Sequence, residues 1–189
     1  MSEDEERAAM RVLEKTDGWK LHIDDSPALP VSQILARSRR LQNSHGLDMV
    51  VIDHLNYIGS DGKSENRTNE VRKITAALKG MSKELNIPVI CLCQLSRALE
   101  SRPNKKPILA DLRESGTIEQ DADIVMFLYR EAYYSKDAGD KSANLEVAKI
   151  RDGLLGDVAM RFDGVHQRFT QDAFAGAYGK SLMTEDIPL

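Results

Sequence analysis

Nothing in this 189-residue sequence approaches the roughly 20 consecutive apolar residues that a membrane-spanning helix needs. The amino terminus, MSEDEERAAM, is acidic where a secretory signal is basic and then apolar, so the expected location is the cytoplasm. Cysteine is scarce. Cys91 and Cys93 are the only two, both inside the apolar run PVICLC, which reads as core packing in a reducing compartment rather than a metal clip or redox motif. Positive charge is not in excess either. With 26 Lys and Arg against 30 Asp and Glu, the net charge is −4 and the pI near 5.6. That balance excludes binding nucleic acid through a broad positive field and leaves only local contacts, made by a few arginines or backbone N–H groups. Internal repeats and low-complexity blocks are also missing.

What is there is 41% apolar and 30% charged, enough for one domain with a sizeable core. Apolar runs alternate with helical periods, the pattern of an α/β fold. WKLHI (19–23) is a strand candidate, and Val31, Ile34, Leu35 and Leu41 share one face of a helix that Pro30 can open. Val71, Ile74, Leu78, Met81 and Leu85 recur at steps of three and four, predicting an amphipathic helix whose Lys and Glu residues form a solvated face. Strands are predicted to end at Asp53 and to span 88–93 and 123–129. All are rich in Val, Ile and Leu with little alternation, as expected of a parallel sheet covered by helices on both faces. Later, ANLEVAKI, the Asp152–Gly153 turn, GDVAMRF and HQRF read as antiparallel strands appended at the sheet's edge. The organisation is a charged segment over 1–17, a body over 18–170 and a tail over 171–189 with no clear period.

The stretch LDMVVIDHLNYIG (47–59) carries the first chemical signal. Its apolar run stops at Asp53, which is how a buried parallel strand of a phosphate-loop ATPase delivers a Mg²⁺ ligand to the end of its sheet. Such an aspartate needs a phosphate cradle of the form GxxxxGK plus Ser or Thr. Two GKS triplets occur, but Gly62-Lys63-Ser64 has Tyr57 at the leading glycine and Gly179-Lys180-Ser181 has Phe174 there. Both are decoys, so the sequence holds the later half of an ATPase site without the earlier half.

Five segments explain this. LHIDDSPALPVSQILARSRRL, VVIDHLNYI, MSKELNIPVICLCQLSRALESR, DLRESGTIEQDADIVMFLYR and AKIRDGLLG, in that order, closely resemble the motor domain of the DnaB family of replicative hexameric DNA helicases, over roughly residues 18 to 170. The resemblance implies a partial RecA-like phosphate-loop ATPase domain, a mostly parallel sheet flanked by helices with antiparallel strands near the carboxyl terminus. It implies an ATP-dependent helicase that moves on single-stranded DNA and unwinds duplex at the replication fork, with ATP and Mg²⁺ as cofactors of the complete enzyme. In the family the phosphate loop, a catalytic glutamate and the scaffold domain lie upstream of the point corresponding to Met1. The chain is therefore expected to be a fragment, a split gene product or a truncated form, without ATPase activity of its own. His54 and Asn56 stand where many relatives carry Tyr and Gln.

By the same resemblance, Asp53 holds Mg²⁺ and Gln94, ending the neighbouring strand, senses the γ-phosphate. Lys149 and Arg151, two apart on a strand, reach the nucleotide of the adjacent subunit, with Arg151 as the finger. Arg113, Glu114 and Gly116 of DLRESG track one DNA strand, and the nearby Arg97, Arg102, Lys105 and Lys106 are candidates to enrich that channel. The implied partners are single-stranded DNA, neighbouring subunits of a homo-hexameric ring, and primase and helicase loader through the full-length protein, with no membrane. Three other readings stay open: a non-catalytic partner or regulator of a complete ring, a RecA-type recombinase or circadian-type ATPase half, and a DNA-binding module that no longer uses ATP. The ending TEDIPL faintly resembles the acidic tips of single-strand binding proteins, a resemblance that chance at a free terminus explains more simply.

Overall fold

Pro30 opens the first long helix from an extended backbone (φ −69°, ψ 154°), leaving its carbonyl to accept from the amides of Gln33 and Ile34 at 3.0 and 3.1 Å. The computed structural model describes residues 6, 7, 10, 11, 14, 18–59, 66–112, 115–135, 137 and 139–171. Helix α1 (Val31–His45) ends at Gly46, whose φ of 80° is one that glycine adopts without strain. Helix α2 (Arg67–Leu85) starts where the Asn66 side chain accepts from the Asn69 amide at 2.8 Å and stops at Asn86 in the left-handed region. All five apolar positions of its predicted stripe, Val71, Ile74, Leu78, Met81 and Leu85, are buried. Lys73, Lys83 and Glu84 are exposed, as a solvated face requires, and Lys79 departs from that reading. Lys79 pairs with Asp123, Glu84 pairs with Arg39 of α1, and Thr75 donates to Asp121.

Strands β1 (Val50–Ile52) and β2 (Val89–Cys91) pair in parallel, Val50 opposite Val89 and Ile52 opposite Cys91. The ladder continues beyond both, with Leu92 N–H donating to Ile52 at 2.9 Å and Leu55 N–H donating to Leu92 at 2.8 Å. Helix α3 (Ser115–Asp121) leads into β3 (Ile124–Tyr129), and α4 (Glu131–Ser135) follows. Strands β4 (Ser142–Ile150), β5 (Gly156–Asp163) and β6 (Arg168–Gln171) then run antiparallel in the order β3-β4-β5-β6.

The α/β class and the carboxyl-terminal antiparallel strands agree with the sequence reading, but three details differ. The expected single sheet is two: β3 joins the antiparallel set, and no ladder links it to β2 among the described residues. Residues 19–23 form no strand, and Trp19, Leu21 and Ile23 are exposed. A strand needs a neighbouring edge to take its N–H and C=O groups, and here the adjoining Asp24 is held by Arg37 instead. Finally, helices cover one sheet face, not both. Ile52, Val89 and Cys91 pack with Val125 and Phe127 into one core with α1 and α2, while the alternate residues Val51, Ile90, Leu92, Ile124, Met126 and Leu128 are 38% to 57% exposed. Apolar residues on both faces encode burial on both, and the described residues supply cover for only one. No helix among the described residues is long and apolar enough to cross a membrane.

Candidate functional site

Asp53 is the first residue past β1 and Gln94 the third past β2, so the parallel pairing brings both to one carboxyl edge, where ligands of α/β sheets collect. Both are exposed. The Asp53 carboxylate is 75% open to solvent, with His54 Nδ1 3.5 Å from Oδ1. The His54 ring meets Tyr57 edge-on at 4.5 Å, and Leu55 drops into the core, so the 3-10 turn Leu55–Tyr57 is anchored directly behind the aspartate. Gly59 closes that turn against the amino-terminal side of α1. A Cβ there would run into the Ala28 carbonyl oxygen, a backbone clash that only glycine avoids. Cys91 and Cys93 are half-buried against the core, and burial pushes the Cys91 thiol up to about 12, which suits packing and not reactivity.

The segment around DLRESG is gripped from both ends. On the amino-terminal side, Leu95 bridges Leu112 and the Ser96 amide donates to the Asp111 carbonyl at 2.7 Å, so the residue after Gln94 is tied to the residue before Arg113. Arg113 and Glu114 lie outside the described residues. Gly116 is exposed in the first turn of α3 with nothing within 4 Å of a Cβ built on it, so packing does not require glycine there. Asp111 is 4% exposed, and its Oδ2 accepts from Arg102 at 2.7 Å and from the Ile108 amide at 2.8 Å. Arg102 is thus not an independent channel charge, and Lys105 is turned onto the Glu100 carbonyl. Asp111→Ala is expected to lower stability by about 2–3 kcal/mol, the size of a charge-assisted bond whose partner is left behind. Urea denaturation measures this, and a loss under about 0.5 kcal/mol, the scale of an ordinary surface change, would show the carboxylate to be solvated.

On the carboxyl-terminal side sit Lys149 and Arg151, near the end of β4. The ladder slips there, Val125 facing Lys149 and Met126 facing Val147, so that Ala148 bulges out; bulges of this kind re-aim side chains. Lys149 Nζ donates to the carbonyls of Glu119 and Ala122, the latter at 2.7 Å. Arg151 lies just beyond the strand, its backbone N–H bonded to the Asp123 carbonyl at 2.9 Å. Its guanidinium donates to the Gln120 carbonyl at 3.3 Å and stands 3.5 Å from the Asp123 carboxylate. The two side chains converge on the carbonyl end of α3, although Arg151 stands one residue past the strand on which their spacing places both. Two cations at a helix carboxyl end satisfy orphan carbonyls and complement the dipole.

Asp123 is the residue that sequence reasoning missed. Its carboxyl is held below the ordinary range chiefly by the Lys79 hydrogen bond, with Arg151 and Lys149 assisting electrostatically against partial desolvation. A carboxyl depressed in the fold adds stability above its unfolded value and loses it as pH falls through the folded one. The α2–α3–β4 junction should thus hold through neutral and mildly acidic pH and loosen only below the ordinary aspartate value of 3.8. Titration of this carboxyl by NMR should give a midpoint below that value, and Lys79→Met should raise it. An unshifted midpoint in the unmodified protein would remove Lys79 as the anchor.

Asp53 and Gln94 form one group and Lys149 and Arg151 another, and among the described residues no hydrogen bond or ion pair joins the two. A cleft of about 350 Å³, bordered by Arg130, Lys141 and Phe162, includes none of the four in its lining. The decoy triplets at 62–64 and 179–181, and the TEDIPL ending, lie outside the described residues.

Comparison with known proteins places this arrangement. Residues 1–171 match the model of the DnaB-like helicase C terminal domain. The replicative DNA helicase DnaB of Rickettsia prowazekii is 46% identical over 187 residues, which is 89% of this chain and 38% of that protein. The DnaB of Geobacillus stearothermophilus is 48% identical over 151 residues, 79% of this chain and 33% of its own length. The chain thus spans well under half the length of these relatives. Among solved structures, a DnaB-like replicative helicase studied with primase superposes with a TM-score of 0.81 at 37% identity, over 89% of this chain and 42% of that one. A second solved structure, of an ATPase domain, gives 0.83 at 36% identity, over 90% of this chain and 61% of that one.

Proposed function

Because the chain belongs to the DnaB-like helicase C-terminal domain family, we propose that it is part of the motor of a replicative DNA helicase, assembled in the cytoplasm as a homo-hexameric ring. The motor assignment covers 18–170, with 1–17 as a charged lead-in and 171–189 as a tail. One observation carries the reading: β1 and β2 pair in parallel, so Asp53 and Gln94 open onto the same carboxyl edge. An antiparallel pairing would have sent them to opposite ends.

The residues fit a nucleotide with its metal as one wall of a pocket. Asp53, an exposed carboxylate one residue past β1, is the residue that would hold Mg²⁺. ATP, when bound, supplies the transferable phosphoryl group. Gln94 would donate an amide hydrogen bond to the γ-phosphate, and Lys149 and Arg151 would meet the nucleotide of the neighbouring subunit. Arg113, Glu114 and the backbone at Gly116 would grip single-stranded DNA by its phosphates, which needs no positive net charge. Primase and loader contacts belong to the full-length protein. No GxxxxGK cradle occurs in the 189 residues, so the purified chain is expected to turn over no ATP. The lack of a cradle also favours a second form of the reading, a chain that lends Arg151 to a complete ring.

Joining the chain to a segment that supplies a strand, the cradle and its helix tests the reading. DNA-stimulated ATP hydrolysis and unwinding should appear and be lost in Asp53→Asn. Hydrolysis that survives Asp53→Asn would overturn the assignment.

A further inference from the structure

We propose that Tyr133 is a stacking platform for one base of single-stranded nucleic acid, a contact separate from the one assigned above to residues 113–116. It rests on the reading of the chain as a motor on single-stranded DNA and adds a residue on which a base lies.

The ring is exposed and yet held. Tyr133 stands in α4 with 70% of its surface open to solvent. Its ring meets Tyr134 edge-on, with centroids 5.1 Å apart at 87°, and Tyr134 stacks on Tyr129 at 5.9 Å and 22°. Tyr129 is fixed in turn, paired with Asn144 in the β3–β4 ladder and donating its hydroxyl proton to a hydrogen bond with Glu131. Three rings rooted in a strand hold the outermost one in place, so little side-chain freedom is left to lose when a flat ligand settles on it.

The surroundings say what fits. Glu131 and Ser135, in the same short helix, are exposed polar residues, so no apolar rim surrounds the ring as one surrounds the dry centre of a protein interface. A base needs only one ring face. Burial first, then Tyr133 and the charges of Glu100 and Asp111, raise the Tyr134 hydroxyl, which puts the rings within electrostatic reach of the 95–112 segment that leads into Arg113. Three residues before Tyr133, Arg130 lies 3.6 Å over the Phe162 ring with its Nε buried, and it has no hydrogen-bond or ion-pair partner among the described residues. That leaves a cation for one phosphate. Asp137, Asp140 and Asp163 border the same cleft, turned onto the amides of Gly139, Ser142 and Val165, and their charge keeps further phosphates away. Stacking therefore carries the contact, which suits a chain of net charge −4.

Fluorescence anisotropy of a labelled oligothymidylate with the 189-residue chain tests it. Tyr133→Leu should weaken binding by about fivefold or more, the loss expected for one stacked base. Tyr133→Trp should keep the wild-type affinity, and its indole fluorescence should fall as oligonucleotide is added. Log K should fall against log salt with a shallow slope of about −0.7, that of a single phosphate, in wild type and Tyr133→Leu alike. Urea midpoints of both variants should stay near wild type, which shows the fold intact. Equal affinity of Tyr133→Leu and wild type overturns the platform and leaves the ring to a protein contact; if Arg113→Ala then weakens binding, the motor reading stands without it. If Tyr133→Leu weakens binding and Arg113→Ala does not, the platform stands and the loop assignment falls. A chain that binds no oligothymidylate overturns the platform outright.

Discussion

Alanine in place of Arg151 is expected to lower ATP turnover of a ring assembled with this chain by about 10³-fold or more, the range known for guanidinium fingers on phosphoryl transfer. Charge spreads over the transferring oxygens in the transition state, so the loss should fall on kcat and leave nucleotide affinity little changed. The geometry suits such a role. Arg151 stands on a bend at the end of β4, its backbone bonded to Asp123, while its guanidinium is half exposed and only loosely engaged at 3.3 and 3.5 Å. A firmly placed base with a loosely held tip is what a residue reaching across a subunit boundary requires. Arg151→Lys should recover little, because a point charge cannot reproduce a planar fork. Single-turnover assays with saturating ATP measure it; unchanged turnover in Arg151→Ala with nucleotide bound would remove the finger.

The second large effect concerns the core. Phe127→Ala is expected to cost about 3–5 kcal/mol, a large share of the roughly 5–15 kcal/mol that holds a domain together. Phe127 is 4% exposed at the centre of β3, packed in the cluster that includes Val31, Leu78 and Val125. Its neighbour Leu128 points the other way and is 49% exposed, so Leu128→Ala should cost less than about 1 kcal/mol. Denaturant titration of both separates the two faces of one strand. Equal losses would mean that the open face is covered in solution, and then Val51, Ile90, Leu92, Ile124 and Met126 would be covered with it.

That open face also marks where sequence reading stops. The three apolar runs were legible as strands, each ending within two residues of the expected position, and Asp53 was legible as a strand-end carboxylate. The α2 stripe was legible because a period of 3.6 is local. WKLHI was misread because apolar, β-prone residues make a strand only where an edge accepts them. The division into a parallel pair and an antiparallel set was hidden for the same reason. Lys79 passed as a surface charge because its partner, Asp123, is 44 positions away, and the Lys149 contact with Ala122 spans 27.

By itself, then, the sequence determined the kinds of element, the residues at their ends and, through five segments in order, the family. These are properties of neighbours along the chain, governed by backbone period, turn chemistry and capping. Only the tertiary structure decided which sheet face is covered, which strands pair, and that Lys149 and Arg151 close the carbonyl end of α3. Those outcomes depend on which distant groups can satisfy a bare carbonyl, a buried carboxylate or an apolar surface, and the linear order of residues does not contain that geometry.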